Sequence, residues 1–514
     1  MDPAYYHGSI SVKLWPPSQN TRSMLVERMI KNLTTPSKSI LSRKYGLLDK
    51  KEAEEISKKI EALAYASANL HFGKKPDGDG SSAVQLYAKE SSKLMLEAVK
   101  RGPLMGKEDG IVITEKSTTR DNVFDISEGR RALINEEEAK ELLKPLGKHG
   151  NKYTKICFSN HSFGLDAAHV AESFLFSLKD QLKEVDLSDF IAGRPEDEAL
   201  KVMKIFSSVL DGCELRYLNL SNNALGEKGV RAFESLLKSQ HNLEELYLMN
   251  DDISEAAARA VRELLPSTEK LKVLQFHNNM TGDEGAIAIS ELVKHSPVLE
   301  NFRCSSTMVD SDGGFALAEA LGTCTNLKKL DLSDNMFGIK SGVALSKALL
   351  GCPNLREVYL SYLNLADEGC IALANALKES APSLEVLEMS GNEITAKAAL
   401  ALSSLITSSH SLTKLNLSEN ELKDEGAIQI AKALEQGCVE LNEVDLSTNL
   451  IRGAGARVLA QAVIAKPGFK LLNINANYIS DEGVDEIKDM FKSSPAVLSL
   501  LESKLKGLEI KHAD

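Results

Sequence analysis

Arg194 lies in the charged loop Asp189-Phe-Ile-Ala-Gly193-Arg194-Pro195-Glu196-Asp197. An arginine so placed is either a functional group grafted on an irregular loop or a surface residue paired with Glu196 or Asp197, which contributes little. Asparagines at 223, 279, 335, 392, 420, 449 and 477 recur at one offset. Their carboxamides both donate and accept, which suits a ladder of buried turn bonds. His277, beside Asn278 and Asn279, reads as one more hydrogen-bonding turn residue. No GxxxxGK[ST], GxSxG, HExxH or EF-hand loop is present, and no histidines pair at metal-ligand spacing. The seven cysteines form no CxxC and read as reduced thiols used as small apolar fillers. No metal and no cofactor is expected. The chemistry on offer is recognition and not bond-breaking, so the chain reads as lacking a self-contained active site.

The elements that position these residues follow from one recurring frame. Leu327-Lys-Lys-Leu330-Asp-Leu332-Ser-Asp-Asn335 has the form LxxLxLxxN. It begins again at Tyr153, Leu182, Leu215, Leu243, Leu271, Leu299, Leu327, Leu355, Leu384, Leu412, Leu441 and Phe469, at steps of 28 or 29 residues and one of 33. That is the long leucine-rich repeat period. Each copy closes with a helical pattern such as Gly342-Val-Ala-Leu345-Ser-Lys-Ala348-Leu349. One strand and one helix cannot bury their own apolar faces, and stacking the units does so. The expected fold is an α/β leucine-rich repeat solenoid, ribonuclease-inhibitor-like, of twelve strand–helix repeats with strands inside and helices outside.

Within a frame the first, fourth and sixth positions point into the core and the third and fifth onto the concave face. There Glu184, Asp186, Glu245, Asp331, Glu357, Glu388, Glu443 and Asp445 face Lys155, Arg303, Lys329 and Lys414. The ninth position is Asn in seven frames and departs to His161, Phe190, Asp251, Thr307 and Leu363 in the others. The first 110 residues hold 18 basic and 13 acidic side chains, which leaves about −17 of the net −12 on the rest. An acidic solenoid repels phosphate backbones, so nucleic acid is excluded and a basic protein partner is favoured. No 18-residue apolar run exists, so no membrane insertion is expected. The N-terminus carries no signal-segment pattern, so export is not expected either.

The first 110 residues differ. Trp15-Pro16-Pro17 bars a helix before about Ser18. Asn20 or Thr21 then caps a helix, a short one covers 37–45, and Asp49 with Glu52 opens a third by a capping box. That helix aligns Ala53, Ile56, Ile60, Leu63, Ser67 and Leu70. A further helix over 82–99 aligns Val84, Tyr87, Ser91, Leu94 and Ala98. The expected organisation is an all-helical module over 1–110, linker and solenoid cap over 111–150, solenoid over 151–491 and a helical cap or tail over 492–514. The stretch 106–127 reads as polar linker. Asn135 and Glu138 open the capping helix that ends before Pro145.

With these features in hand, the chain resembles the plant Ran GTPase-activating proteins. Trp15-Pro16-Pro17 within an all-helical module is similar to the WPP domain of the plant members. The strings Asp186-Leu-Ser-Asp-Phe190-Ile-Ala-Gly-Arg194, His277-Asn-Asn279-Met-Thr-Gly-Asp-Glu-Gly285 and Leu330-Asp-Leu-Ser-Asp-Asn335-Met-Phe-Gly338 resemble the family's repeats. The resemblance implies an activator acting in trans on Ran in its GTP-bound state. Repeat-edge loops would contact the switch regions and orient the GTPase's own glutamine, with no inserted arginine. It implies contact roles for Arg194, Asn223, Asn250, Asp251, Asn279, Asp334 and Asn335, and targeting by Trp15, Pro16 and Pro17. It further implies coiled-coil nuclear-envelope membrane proteins, and immune receptors, as partners. The implied locations are the cytoplasm, the outer nuclear envelope, the spindle and the cell plate. Two departures are visible: Asp251 stands where fungal members have Asn, and no long acidic run follows the repeats. A missing acidic run would slow association with a basic partner. The rival reading is a non-catalytic repeat scaffold, an inhibitor or immune adaptor. On the sequence alone, Arg194→Ala is expected to cut the acceleration severely and to leave thermal stability nearly unchanged.

Overall fold

The computed structural model describes residues 16–17, 19–34, 50–74, parts of 83–95, 122–127, 131–148 and 150–492. The chain divides into two compact units, 1–115 and 116–514.

In the first unit the helix Gln19–Thr34 starts two residues after Pro17, so that both expected caps, Asn20 and Thr21, lie inside it, and the helix Lys50–Lys74 packs on it. Met29, Leu33, Ala53 and Ile60 form one buried cluster, and Ala64, Ala68, Ala83 and Tyr87 form another. The buried face of the long helix runs on through Ser57, Glu61, Ala64 and Ala68. The buried face thus departs from the expected line of Ala53, Ile56, Ile60, Leu63, Ser67 and Leu70, and it includes a carboxylate. Arg22 grips Glu61 through two bonds, Nε to Oε1 at 2.6 Å and Nη2 to Oε2 at 2.9 Å, and Tyr87 Oη donates to Oε1 at 2.7 Å. The guanidinium also lies 3.6 Å from the centre of the Tyr65 ring. Burial pushes the Glu61 carboxyl up, but the bonds from Arg22 and Tyr87 outweigh it and hold the group below its ordinary value. A buried charge survives because it is paired and hydrogen-bonded. Trp15, the expected helix over 37–45 and Asp49 lie outside the described residues.

The second unit is a solenoid. Among the described residues a thirteen-stranded parallel sheet runs from Val123–Asp125 to Leu471–Asn473, each strand beside its neighbour in sequence. Register advances by one repeat, as in Lys329↔Glu357, Leu330↔Val358 and Asp331↔Tyr359. The frame leucines Leu327, Leu330 and Leu332 are wholly buried, and their counterparts are buried too except Tyr153 of the first frame, which is half-buried. The following helix, Gly338–Leu349, buries Leu345 and Leu349 against its neighbours. One continuous core results.

The expected linker is structured at its end. Val123–Asp125 pairs with Lys155–Cys157 and adds a strand to the twelve frames. Only Phe124 in it is buried, against Tyr153 and Phe158 at 5.6 and 6.1 Å, too faint a signal for periodicity to reveal. A second parallel pair, Ala132–Ile134 with His161–Phe163, stands beside the main sheet. It explains why His161 departs from the ninth-position pattern. The helix Glu136–Leu143 opens on the expected Asn135–Glu138 capping box. Phe190, another departure, packs on Phe206 at 5.1 Å in an aromatic cluster with Phe158 and Phe163. Residues 493–514, with the expected tail helix, lie outside the described residues.

All seven cysteines are free and buried. Cys324, Cys352 and Cys438 precede their frames by three residues, where Ser296 and Ser409 stand in other frames. Ser296 donates to Leu292 O at 2.7 Å, and Cys324 Sγ reaches Val293 O and Ser296 O at 3.6 Å. The thiols thus tie helix ends as the hydroxyls do, and burial pushes Cys352 and Cys438 up to about 11.

Candidate partner-binding rim

At every strand-to-helix turn two adjacent residues take opposite roles. The ninth-position asparagine turns inward. Asn279 Oδ1 accepts from Asp251 N and Ile253 N, both at 3.0 Å, while Nδ2 donates to Leu248 O and Phe276 O at 2.7 Å. Asn335 repeats this with Thr307 N, Val309 N, Cys304 O and Leu332 O. Asn223 donates to Leu187 O and Leu220 O and accepts from Phe190 N. These three side chains are consumed by the fold.

The eighth position turns outward. It has positive φ in each frame, for example 64° at Asn222, 55° at Asn250 and Asn278, and 59° at Asp334. Asn and Asp tolerate this left-handed conformation better than most residues. Their side chains stand on the rim, where Asn278 Nδ2 donates to Asn250 Oδ1 and Asn250 Nδ2 to Asn222 Oδ1, both at 2.7 Å. The result is an exposed carboxamide ladder across three repeats, with spare N–H and lone-pair capacity at each rung. Farther along, Tyr362 lies over Gly391 and donates to Glu419 at 2.7 Å; a Cβ on Gly391 would meet its ring at 2.3 Å. Sequence reasoning singled out Asn250 but not Asn222 or Asn278, although their 28-residue spacing beside the ninth position was available as a signal.

Arg194 faces the fold. Its Nη2 donates to Ser162 O at 2.7 Å and Ile134 O at 3.1 Å, and Nε donates to Ser162 Oγ at 3.2 Å. Its salt partner is Glu198 at 3.6 Å, not Glu196 or Asp197; Glu196 pairs with Lys228 at 2.6 Å, and Asp189 pairs with Arg131. The side chain is only 16% exposed. It passes close over Gly164, where an added Cβ would come within 3.0 Å of Nη1. The guanidinium therefore staples the long loop to the small strand pair. The expectation that Arg194→Ala would leave stability nearly unchanged gives way, because three charge-assisted bonds are lost with the side chain.

Along the rim these residues share two depressions. One, of about 650 Å³, is lined by Arg194, Asn222, Asn223, Lys228 and Asp252. The next, of about 520 Å³, is lined by Asn250, Asp252, Asn278, Asn279, Asp334 and Asn335 among others. Asp252 belongs to both.

Asp251 is the outlier beneath the ladder. It is wholly buried; one carboxyl oxygen accepts from Asn223 N at 2.8 Å and the other has no partner. In neighbouring repeats the equivalent atom is an N–H donor to two carbonyls. Burial, reinforced by Asp252, pushes this carboxyl well above its ordinary value. As a neutral acid it recovers a donor, so it stands in for the amide more closely than a carboxylate could. His277 Nδ1 lies 2.9 Å from Ser305 Oγ, and burial with nearby Arg303 lowers its affinity for a proton. On the concave face the four cations are neutralised by the next strand or the one before. Lys155 pairs with Glu184, Arg303 with Asp331, Lys329 with Glu357 and Lys414 with Glu388, at 2.7–3.0 Å. Asp186, Glu245, Glu443 and Asp445 remain without a basic partner among the described residues.

A match to the WPP domain covers residues 11–109, and matches to the leucine-rich repeat cover 213–233, 323–346, 351–374, 380–403 and 408–431. The chain is 62% identical over 495 residues to RAN GTPase-activating protein 2 of Arabidopsis thaliana, spanning 96% of this chain and 90% of that one. It belongs to the Ran GTPase-activating protein family. A second member, RAN GTPase-activating protein 1 of the same plant, is 66% identical over 238 residues, 46% of this chain and 43% of its own. WPP domain-containing protein 1 of Arabidopsis matches only a 93-residue stretch, 18% of this chain, at 45% identity. Among the described residues no helix is long and apolar enough to cross a membrane.

Proposed function

We propose that this protein stimulates GTP hydrolysis by Ran, acting in trans on the GTP-bound form through the rim between Arg194 and Asn335. The kinship along 96% of the chain carries the reading, and the exposed Asn222–Asn250–Asn278 ladder supports it chemically. Carboxamides that keep free N–H groups and lone pairs can orient a glutamine or backbone of a switch segment. Asp334 continues the same column. Asn223, Asn279, Asn335 and Asp251 act beneath it by fixing the turns, and Arg194 by fixing the loop. An arginine with its donors on Ser162 and Ile134 is poorly placed to reach a partner's phosphate, which favours positioning over arginine insertion. The site supplies no nucleophile, so the reacting groups belong to the GTPase.

The first 110 residues are proposed as the targeting module, with Trp15, Pro16 and Pro17 recognising coiled-coil proteins of the nuclear envelope from the cytoplasmic side. Catalytic amounts of the protein mixed with Ran·GTP should release phosphate over many turnovers. A scaffold that only binds would give none. Replacing Trp15 and Pro16 by alanine should free the protein from the nuclear rim and leave turnover unchanged. Retention at the rim would place the anchor elsewhere.

A further inference from the structure

The tenth frame position holds Met280, Met308 and Met336 in three consecutive repeats, exposed by 51, 63 and 48%. Parallel neighbours stack at about 4.8 Å, so the three thioethers form a strip roughly 10 Å long. The column is small or polar on either side, with Ala224 and Asp252 before the strip and Asn364 and Glu393 after it. The repeat itself therefore does not require methionine there. Beside it runs the eighth-position column, and together Met280, Met308 and Met336 with Asn250, Asn278 and Asp334 line the 520 Å³ depression. Asp252 and Asp334 are exposed at its two ends, and among the described residues neither is paired with a cation, unlike Asp189 and Glu196 on the same edge. A contiguous apolar strip rimmed by polar groups marks a binding surface, and methionine adapts its shape to what it covers.

We propose that Met280, Met308 and Met336 are the apolar anchor of the rim. They would hold a Ran segment that sets an apolar side chain between basic ones meeting Asp252 and Asp334. This rests on the Ran reading above and adds the chemistry of the segment held. The strip continues the carboxamide ladder at Asn278, and its two free carboxylates, about three repeats apart, call for basic groups roughly 15 Å from each other.

The test is the triple variant Met280→Gln, Met308→Gln, Met336→Gln in the full chain, assayed by phosphate release from Ran·GTP. Loss of uniform binding raises KM, here by about tenfold, and leaves kcat within about twofold. Thermal unfolding should not move, since the three side chains are exposed. Leu400→Gln, on a helical face, should keep the KM of the unaltered protein. Asp252→Asn with Asp334→Asn should raise KM and flatten its dependence on salt. An unchanged KM in the triple variant, with the unaltered protein active, overturns the anchor. So does a strip that serves a second copy of this chain, seen as loss of a dimer in sedimentation with KM unchanged. If the unaltered protein itself accelerates nothing, the Ran reading fails and the proposal fails with it.

Discussion

Arg194→Ala should lower the maximal acceleration of Ran·GTP hydrolysis by about a hundredfold or more, the scale expected when a positioned group shifts by about 1 Å. The loss comes from the loop and not from a missing charge at the phosphate. Without the guanidinium, Ser162 O and Ser162 Oγ lose its donations, Ile134 O is left with the Gly164 N–H at 3.3 Å alone, and Glu198 loses its salt partner. Bonds to a charged group contribute about 1.5–3 kcal/mol each when intact. The small strand pair and the loop should therefore open locally, with faster amide exchange at Phe163 and Gly164, whose N–H groups bond Phe190 O and Ile134 O. Arg194→Lys should rescue little, because one ammonium cannot span three acceptors on two strands. If exchange at these amides stays slow while kcat collapses, the arginine acts directly on the partner and the positioning account is wrong. Full activity in Arg194→Ala would remove it from the site.

Asp251→Asn should stabilise the repeats at neutral pH, and by more as pH rises. The folded-state carboxyl is held well above the ordinary 3.8 by burial. Its contribution is fully present below the unfolded value and fades as pH climbs through the folded one. Between those limits folding must take up a proton, at about 1.4 kcal/mol per pH unit. An asparagine has no such dependence, and its amide can donate to the two carbonyls as Asn279 does in the next frame. Chemical denaturation of both proteins between pH 6 and pH 9 measures the gap. A gap that widens over part or all of this range supports a neutral Asp251. Parallel profiles would mean that the carboxylate is ionised in the fold, with a partner that the unpaired oxygen does not reveal. The Asn222–Asn250 rung lies directly above, so a looser Asp251 at high pH should also weaken activation.

The twelve frames, the buried leucines and the role of the ninth-position asparagine follow from the sequence, because each is a local pattern repeated at fixed spacing. The family resemblance rests on strings equally local. Stacking decided the rest. Whether a turn residue faces inward or outward depends on a single positive φ, so Asn279 is consumed while Asn278, its neighbour, is free to bind. The concave charges pair with residues one repeat away, which turns an acidic wall into four neutral pairs and four remaining acids. Glu61 lies off the seam that the sequence aligns, and its burial follows from Arg22 and Tyr87, 39 and 26 residues away, which close around it. Arg194 is the clearest case, since its partners lie 32 and 60 residues upstream in a strand pair that obeys no period. Periodicity can announce a scaffold. It cannot say which polar groups that scaffold will use up in holding itself together.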